Sequence, residues 1–218
     1  MKKKELERRA YSFEVRAESN EAGEKIITGR PIVYESVTNL GDFDEIIDRG
    51  ALDGADLTDV RFLVNHNIDM IPLARSRRNN GNSTMMLTAD FNGLSLDFVK
   101  LDVENNSDAR ALWSAVQRGD ITGMSFMFSI DAERWENIET EHPTRHIEKI
   151  GSVVEVSAVT FPAYESTEIY ARSQNALDNA KLELENLRAE RAKSVDTEKR
   201  NKEELELAKA KFVFASNI

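Results

Sequence analysis

The sequence predicts an α+β protein in which strands dominate and a helical segment follows them. Three observations point there. Between residues 10 and 172, short runs alternate apolar and polar residues at period 2, with turn residues between them. One pair of those runs brackets Asn92-Gly93, a strong hairpin signal. From about residue 173 the pattern turns helical, with apolar residues seven apart at both ends.

Taken in order, Tyr11, Phe13 and Val15 alternate with polar neighbours, as in a half-buried strand. Residues 25–34 are β-prone but interrupted by Gly29-Arg30-Pro31, which suggests a bulge or an edge position. Residues 42–49 form a short mixed segment, and 60–64 a compact apolar strand that ends at Asn65-His66. Met85, Leu87, Ala89 and Phe91 alternate, Asn92-Gly93 turns the chain, and Leu94, Leu96 and Phe98 alternate back. A helix is predicted over 107–118, capped by Ser107 and ended by Gly119, with Ala109, Leu112, Trp113 and Val116 on one side. The strand GMSFMF starts at Gly123. After a charged loop holding His142, Pro143 and His146, SVVEVSAVTFPA (152–163) reads as another strand.

In the last segment, Leu177, Leu184, Arg191, Glu198, Leu205 and Phe212 are seven apart, and Ala180, Leu187, Ser194, Asn201 and Ala208 repeat the spacing three positions on. This heptad seam is polar in its middle. A coiled-coil-like helix, a helical hairpin, or two helices hinged near 192–198 all fit it. The expected organisation is a basic, solvated arm over 1–9, a β-rich domain over 10–172 and a helical appendage over 173–218.

The 218 residues hold no cysteine, which excludes disulfides, thiolate metal sites and a cysteine nucleophile and suits a reducing compartment. A 40% apolar content suffices for a core, although the mean hydropathy is −0.49. MKKKELERR is basic without a following apolar stretch and does not read as a secretory signal. No run of 18 apolar residues occurs, so no membrane span is expected. Residues 1–9 carry five Lys/Arg against two Asp/Glu, and 173–218 carry nine of each, so the total of −10 leaves −13 in 10–172. So acidic a domain repels phosphate, which argues against nucleic acid as a partner and for basic protein segments. Histidines at 66, 142 and 146 make a poor zinc set and the acidic residues are not clustered as in a calcium loop, so no metal or cofactor is expected.

In GMSFMF, Met124, Phe126 and Phe128 share a core face, while Gly123, Ser125, Met127 and Ser129 share the other. The second face suits either solvent or a cleft. A serine nucleophile needs a base, because its hydroxyl is protonated at neutral pH. His66 is the leading candidate: it ends the strand VRFLVNH and opens a loop, where a rigid sheet can aim a side chain into a cleft. Position alone favours a plainer role, a surface histidine capping a strand. Glu155 interrupts an apolar run of Val153, Val154, Val156, Val159 and Phe161. Either its face is wet or it has a partner, since an unpaired buried carboxylate costs several kcal/mol. An imidazole N–H is one such partner.

Four stretches combine into a resemblance. LVNHN…IPLAR (63–75), the Asn-Gly hairpin with its short helix, GDITGMSFMF (119–128) and VVEVSAVTFPAYEST (153–167) together resemble the prohead (procapsid maturation) proteases of HK97-type tailed phages, in order over 10–172. The resemblance implies a serine endopeptidase distantly similar to the herpesvirus assembly protease, a β-barrel flanked by helices. It implies Ser125 as nucleophile and His66 as general base. For the third member it offers Glu155, inside the family's motif, with His146 as runner-up and His142 behind it. Arg75 of PLAR reads as an ion-pair residue rather than an oxyanion donor. The implied task is to cleave the scaffolding portion of the major capsid protein, and the protease itself, inside a procapsid assembling in the host cytoplasm. The C-terminal helices would then bind scaffold, form a homo-oligomer or pack back on the protease domain. The alternative is a non-catalytic capsid-assembly or scaffold protein that acts through those helices.

Overall fold

The computed structural model describes residues 6–11, 15–160 and 174–216. Along them run β1 (Leu6–Tyr11), β2 (Arg16–Ser19), β3 (Lys25–Val33), β4 (Thr38–Asn39), β5 (Asp44–Ile47), β6 (Arg61–Val64), β7 (Ala74–Arg75), β8 (Met85–Asp90), β9 (Gly93–Leu101), α1 (Ser107–Arg118), β10 (Gly123–Glu136), β11 (Thr144–Val159) and α2 (Gln174–Ser216). Phe13 and the stretch Phe161–Ala163, read above as strand residues, lie outside the described residues.

The 14-residue β10 and the 16-residue β11 form a long antiparallel hairpin at the heart of the first sheet, whose main path is β1-β10-β11-β5-β4. β11 is long enough to pair twice along its other edge, first with β5 at Thr144–Ile147 and then with β6 at Glu155–Ala158. β7 adds to β6. The second sheet runs β2-β3-β9-β8. Among the described residues both sheets end in edge strands, so the barrel implied by the resemblance is corrected to two open sheets sharing one core, while the β-dominated α+β class stands. Ile27, Leu94 and Val99 from one sheet and Phe62, Phe126 and Val156 from the other lie in that core.

Local chemistry explains the elements. The β3–β9 register shifts on both sides of Gly29, so Gly29-Arg30-Pro31 marks a bulge. The hairpin turns one residue earlier than predicted. Asp90 pairs with Gly93, and the loop is Phe91-Asn92, with Phe91 73% exposed. Gly93 (φ 138°) is needed there because a Cβ would stand 2.1 Å from the Ile32 carbonyl oxygen. A shift between Met86 and Leu87 then gives the core position to Val99 instead of Phe98. In α1 the cap is Asn106, not Ser107: its side-chain oxygen accepts from the N–H groups of Asp108 and Ala109. Gly119 closes the helix in the left-handed region as expected.

The basic arm is also revised. Residues 6–11 form an edge strand antiparallel to β10. Glu7 and Arg9 alternate inward and are 8% and 4% exposed. Arg9 forks onto Glu45 of β5 and reaches Glu7, while Arg145 of β11 contacts Glu7, Glu45 and Glu133. Burial raises the Glu7 carboxyl, but Arg9 and Arg145 outweigh it and hold its pKa below the usual range. Burial lowers the Arg145 guanidinium, and the carboxylates of Glu7 and Glu45 more than reverse that.

α2 is one unbroken 43-residue helix, so of the arrangements the seam allowed, the helical hairpin and the hinge near 192–198 are not found. Its apolar start packs back on the strands: Leu177 and Ala180 cluster with Phe43, beside Leu40 and Trp135. Arg188 donates to the carbonyls of Ile138 and Thr140, and Arg191 pairs with Glu139. Residues 188–206 are exposed. Among the described residues, no helix is long and apolar enough to cross a membrane.

Because the folded Glu7 pKa is depressed, its contribution is complete above the unfolded carboxylate pKa and is lost as pH falls through the folded value. Glu7→Gln should therefore destabilise the protein by about 2–4 kcal/mol at neutral pH. Denaturant unfolding across pH should show that gap closing in acid.

Candidate active site

Three strands bring the predicted residues together. Ser125 of β10 stands directly opposite Ser157 of β11, and Glu155, two residues away on β11, shares Ser157's face. β6 runs parallel to β11 with Leu63 beside Ser157 and Val64 beside Ala158. The chain then turns at Asn65 and His66, both in the left-handed region with φ of 51° and 55°. Asparagine and histidine enter that region more often than most residues, yet it remains a local cost of about 1–3 kcal/mol that surrounding bonds must offset. The Asn65 N–H donates to Ala158 O (2.9 Å), and its side chain takes the Thr160 N–H (2.9 Å) and donates to the Thr160 hydroxyl (3.0 Å). The His66 N–H donates to Ser157 Oγ at 3.1 Å.

This turn delivers the imidazole between the other two groups. His66 Nε2 lies 2.5 Å from Ser125 Oγ, and Nδ1 contacts Glu155 Oε1. The second carboxylate oxygen, Oε2, accepts from the Ser157 hydroxyl at 2.6 Å. Glu155 is 3% exposed, so the alternative of a wet face is gone and each of its oxygens has a partner. Ser125 is 1% exposed and its hydroxyl also lies 2.7 Å from the Arg9 carbonyl oxygen, a second acceptor for its one proton. The Gly123–Ser129 face is thus neither solvent nor an open groove: every residue from Gly123 to Ser129 is buried, and β1 pairs along the strand's edge.

The other candidates stand elsewhere. His146 sits within β11, not in a loop, and pairs with Arg134, about 30 Å along β10 from Ser125 at strand rise. Its Nδ1 is 2.7 Å from Asp48 Oδ1. His142 Nε2 contacts Asp44 Oδ1 at 2.9 Å. Arg75 forks onto Asp59, the ion-pair role expected of it. Two participants escaped the sequence reading. Ser157 was visible in principle, since period 2 puts it on the face of Glu155. The Arg9 carbonyl was not, because a main-chain oxygen leaves no mark in a sequence.

A hydroxyl, an imidazole and a carboxylate in bonding sequence are the constellation of serine peptidases as a class. The chain belongs to the caudovirus prohead serine protease family, whose model matches residues 11–182. That membership makes it a phage capsid-maturation protease that works on capsid proteins in the procapsid. No curated protein and no solved structure matches it.

Ser157→Ala should leave Glu155 Oε2 without its donor and loosen the His66 backbone. The expected loss is about tenfold in kcat, from about 1–2 kcal/mol of support. Steady-state kinetics on a folded variant checks it, with KM expected to hold.

Proposed function

We propose that the protein is a serine endopeptidase that removes the scaffolding portion of the major capsid protein, and cleaves itself, during procapsid maturation. The observation that carries this reading is the contact of Ser125 Oγ with His66 Nε2, while Nδ1 of the same ring rests on buried Glu155. Nδ1–H donates to the carboxylate, which leaves Nε2 free to take the hydroxyl proton. The Ser125 oxygen then attacks the scissile carbonyl carbon and forms a tetrahedral adduct. His66 returns the proton to the leaving amine as the C–N bond breaks. Water, deprotonated by the same nitrogen, hydrolyses the acyl-enzyme. Glu155 holds the tautomer and offsets the imidazolium charge that forms in a site with little water.

The helical segment takes part through partners. Its docked start fixes it to the far end of the β10–β11 hairpin, and its exposed length is free to engage scaffold helices or a second copy.

Ser125→Ala should abolish processing of co-expressed capsid protein and keep the purified chain at its full mass. Continued cleavage by that variant, with host proteases excluded, would leave the non-catalytic assembly role as the surviving reading. Glu155→Gln should lower kcat by about 10³–10⁴. His146→Ala, whose ring contacts Asp48, Arg134 and Glu136 far from Ser125, should keep the rate within about threefold.

A further inference from the structure

Ser125 cannot meet a substrate in the arrangement described. The hydroxyl is buried, and the main-chain carbonyl that accepts from it belongs to the chain itself, at Arg9. β1 ends the path of the first sheet and its strand partner is β10, with Ala10 opposite Ser125 and Arg9 opposite Phe126. Were β1 to leave, β10 would become an open edge, with free N–H and C=O groups beside the nucleophile. An extended peptide adds to such an edge through the same ladder of hydrogen bonds.

The Arg9 side chain supplies a second, independent observation. Its Nε and Nη2 bond to the two oxygens of Glu45 at 2.5 and 2.6 Å, a planar fork with both side chains at most 3% exposed. Glu45 belongs to β5, whereas Glu7, the other acid on Arg9, belongs to β1 and would depart with it. Among the described residues, what remains is a pocket with Glu45 and Glu133 facing the guanidinium of Arg145, and Glu183 of α2 beside Glu133. Such a pocket favours an incoming cation and penalises a neutral side chain, which would leave a buried carboxylate short of a partner.

We propose that β1 is a resident substrate-like strand: it occupies the place where a substrate pairs with β10, and Glu45 selects substrates with arginine, or lysine more weakly, at the residue whose carbonyl faces Ser125. This rests on Ser125 being the nucleophile. The substrate class is an extended peptide cut on the carboxyl side of a basic residue. The Ser125 oxygen bonds to that residue's carbonyl carbon, the C–N bond to the next residue breaks, and the new amine takes the serine proton through His66. In the resting chain the hydroxyl hydrogen bonds to the Arg9 oxygen, so β1 blocks the site until a substrate or a conformational change displaces it.

Two measurements on the full-length chain test this. In the first, peptides identical except for Arg, Lys, Gln or Glu at the selected residue are assayed with wild type and with Glu45→Gln. Wild type should prefer Arg to Gln by more than about tenfold, and Glu45→Gln should shrink that ratio by about tenfold. A ratio does not depend on the fraction of variant that folds. A flat preference in wild type, or an unchanged ratio in the variant, overturns the role of Glu45. In the second, a fluorophosphonate probe reports access to Ser125. Arg9→Gln should label several-fold faster than wild type, and Arg9→Lys, which keeps the charge but loses the fork, should fall between. Equal or slower labelling in both variants overturns the blockade. A wild type that labels at Ser125 but shows no basic preference removes this proposal alone. A wild type that neither labels nor cleaves removes the peptidase mechanism and this proposal with it.

Discussion

The β10–β11 ladder is the constraint on which the rest of the molecule depends. Its register fixes which residues of two long strands face each other, and both ends carry polar clusters that tolerate little error. At one end it sets Ser125 against Ser157 and puts Glu155 on the same face. At the other it sets Glu133 and Arg145 in reach of one another. A slip of one residue would turn every one of these side chains to the opposite face. The bulges at Met127/Phe128 and between Ser129 and Ala132 are part of that specification, because they adjust the twist between the two ends.

Buried charge gives the ladder its second role. Glu7, Arg9, Glu45 and Arg145 come from three strands and are almost wholly removed from water. Ions in that situation contribute little net stability compared with a well-packed apolar group, yet removing one strands the others. They therefore act chiefly as a selector of geometry. β1, β5 and β11 satisfy one another's charges only in the observed pairing, and that pairing puts the Arg9 carbonyl on the nucleophile candidate. The edge strand and the candidate site are thus specified by one set of contacts.

Much of this was legible in the residues, and the exceptions have physical reasons. Period 2 in GMSFMF separated Ser125 from Phe126 and Phe128 correctly, because strand alternation follows from backbone geometry alone. The helix 107–118 and the bulge at Gly29 were legible for the same local reason. β1 was missed because LERRAY hides its inward face behind ions. A hydrophobic pattern cannot reveal a strand whose inward residues are Glu7 and Arg9. The polar seam in α2 left a hinge or a helical hairpin open beside a single helix, but a seam concerns what a helix packs against. Arg191, Ser194, Glu198 and Asn201 can continue a solvated helix without an apolar stripe. Closure of the sheets into a barrel depends on non-local pairing and leaves no local trace. Convergence of Ser125, His66 and Glu155 is equally non-local, and it was the order of motifs along the chain that pointed to it.

The left-handed turn at Asn65-His66 has a consequence for when the chain becomes chemically competent. The Asn67 N–H to Val64 O bond that closes the turn is local, but the bonds made by Asn65 and by the His66 N–H reach residues 157–160, more than ninety positions further along the chain. An unfinished polypeptide emerging from the ribosome lacks those long-range bonds and has only the local one to set against the cost of the backbone angle. Under the proposed mechanism, activity is thereby deferred: Ser125, His66 and Glu155 meet only after synthesis has passed the last strand and the whole domain has closed.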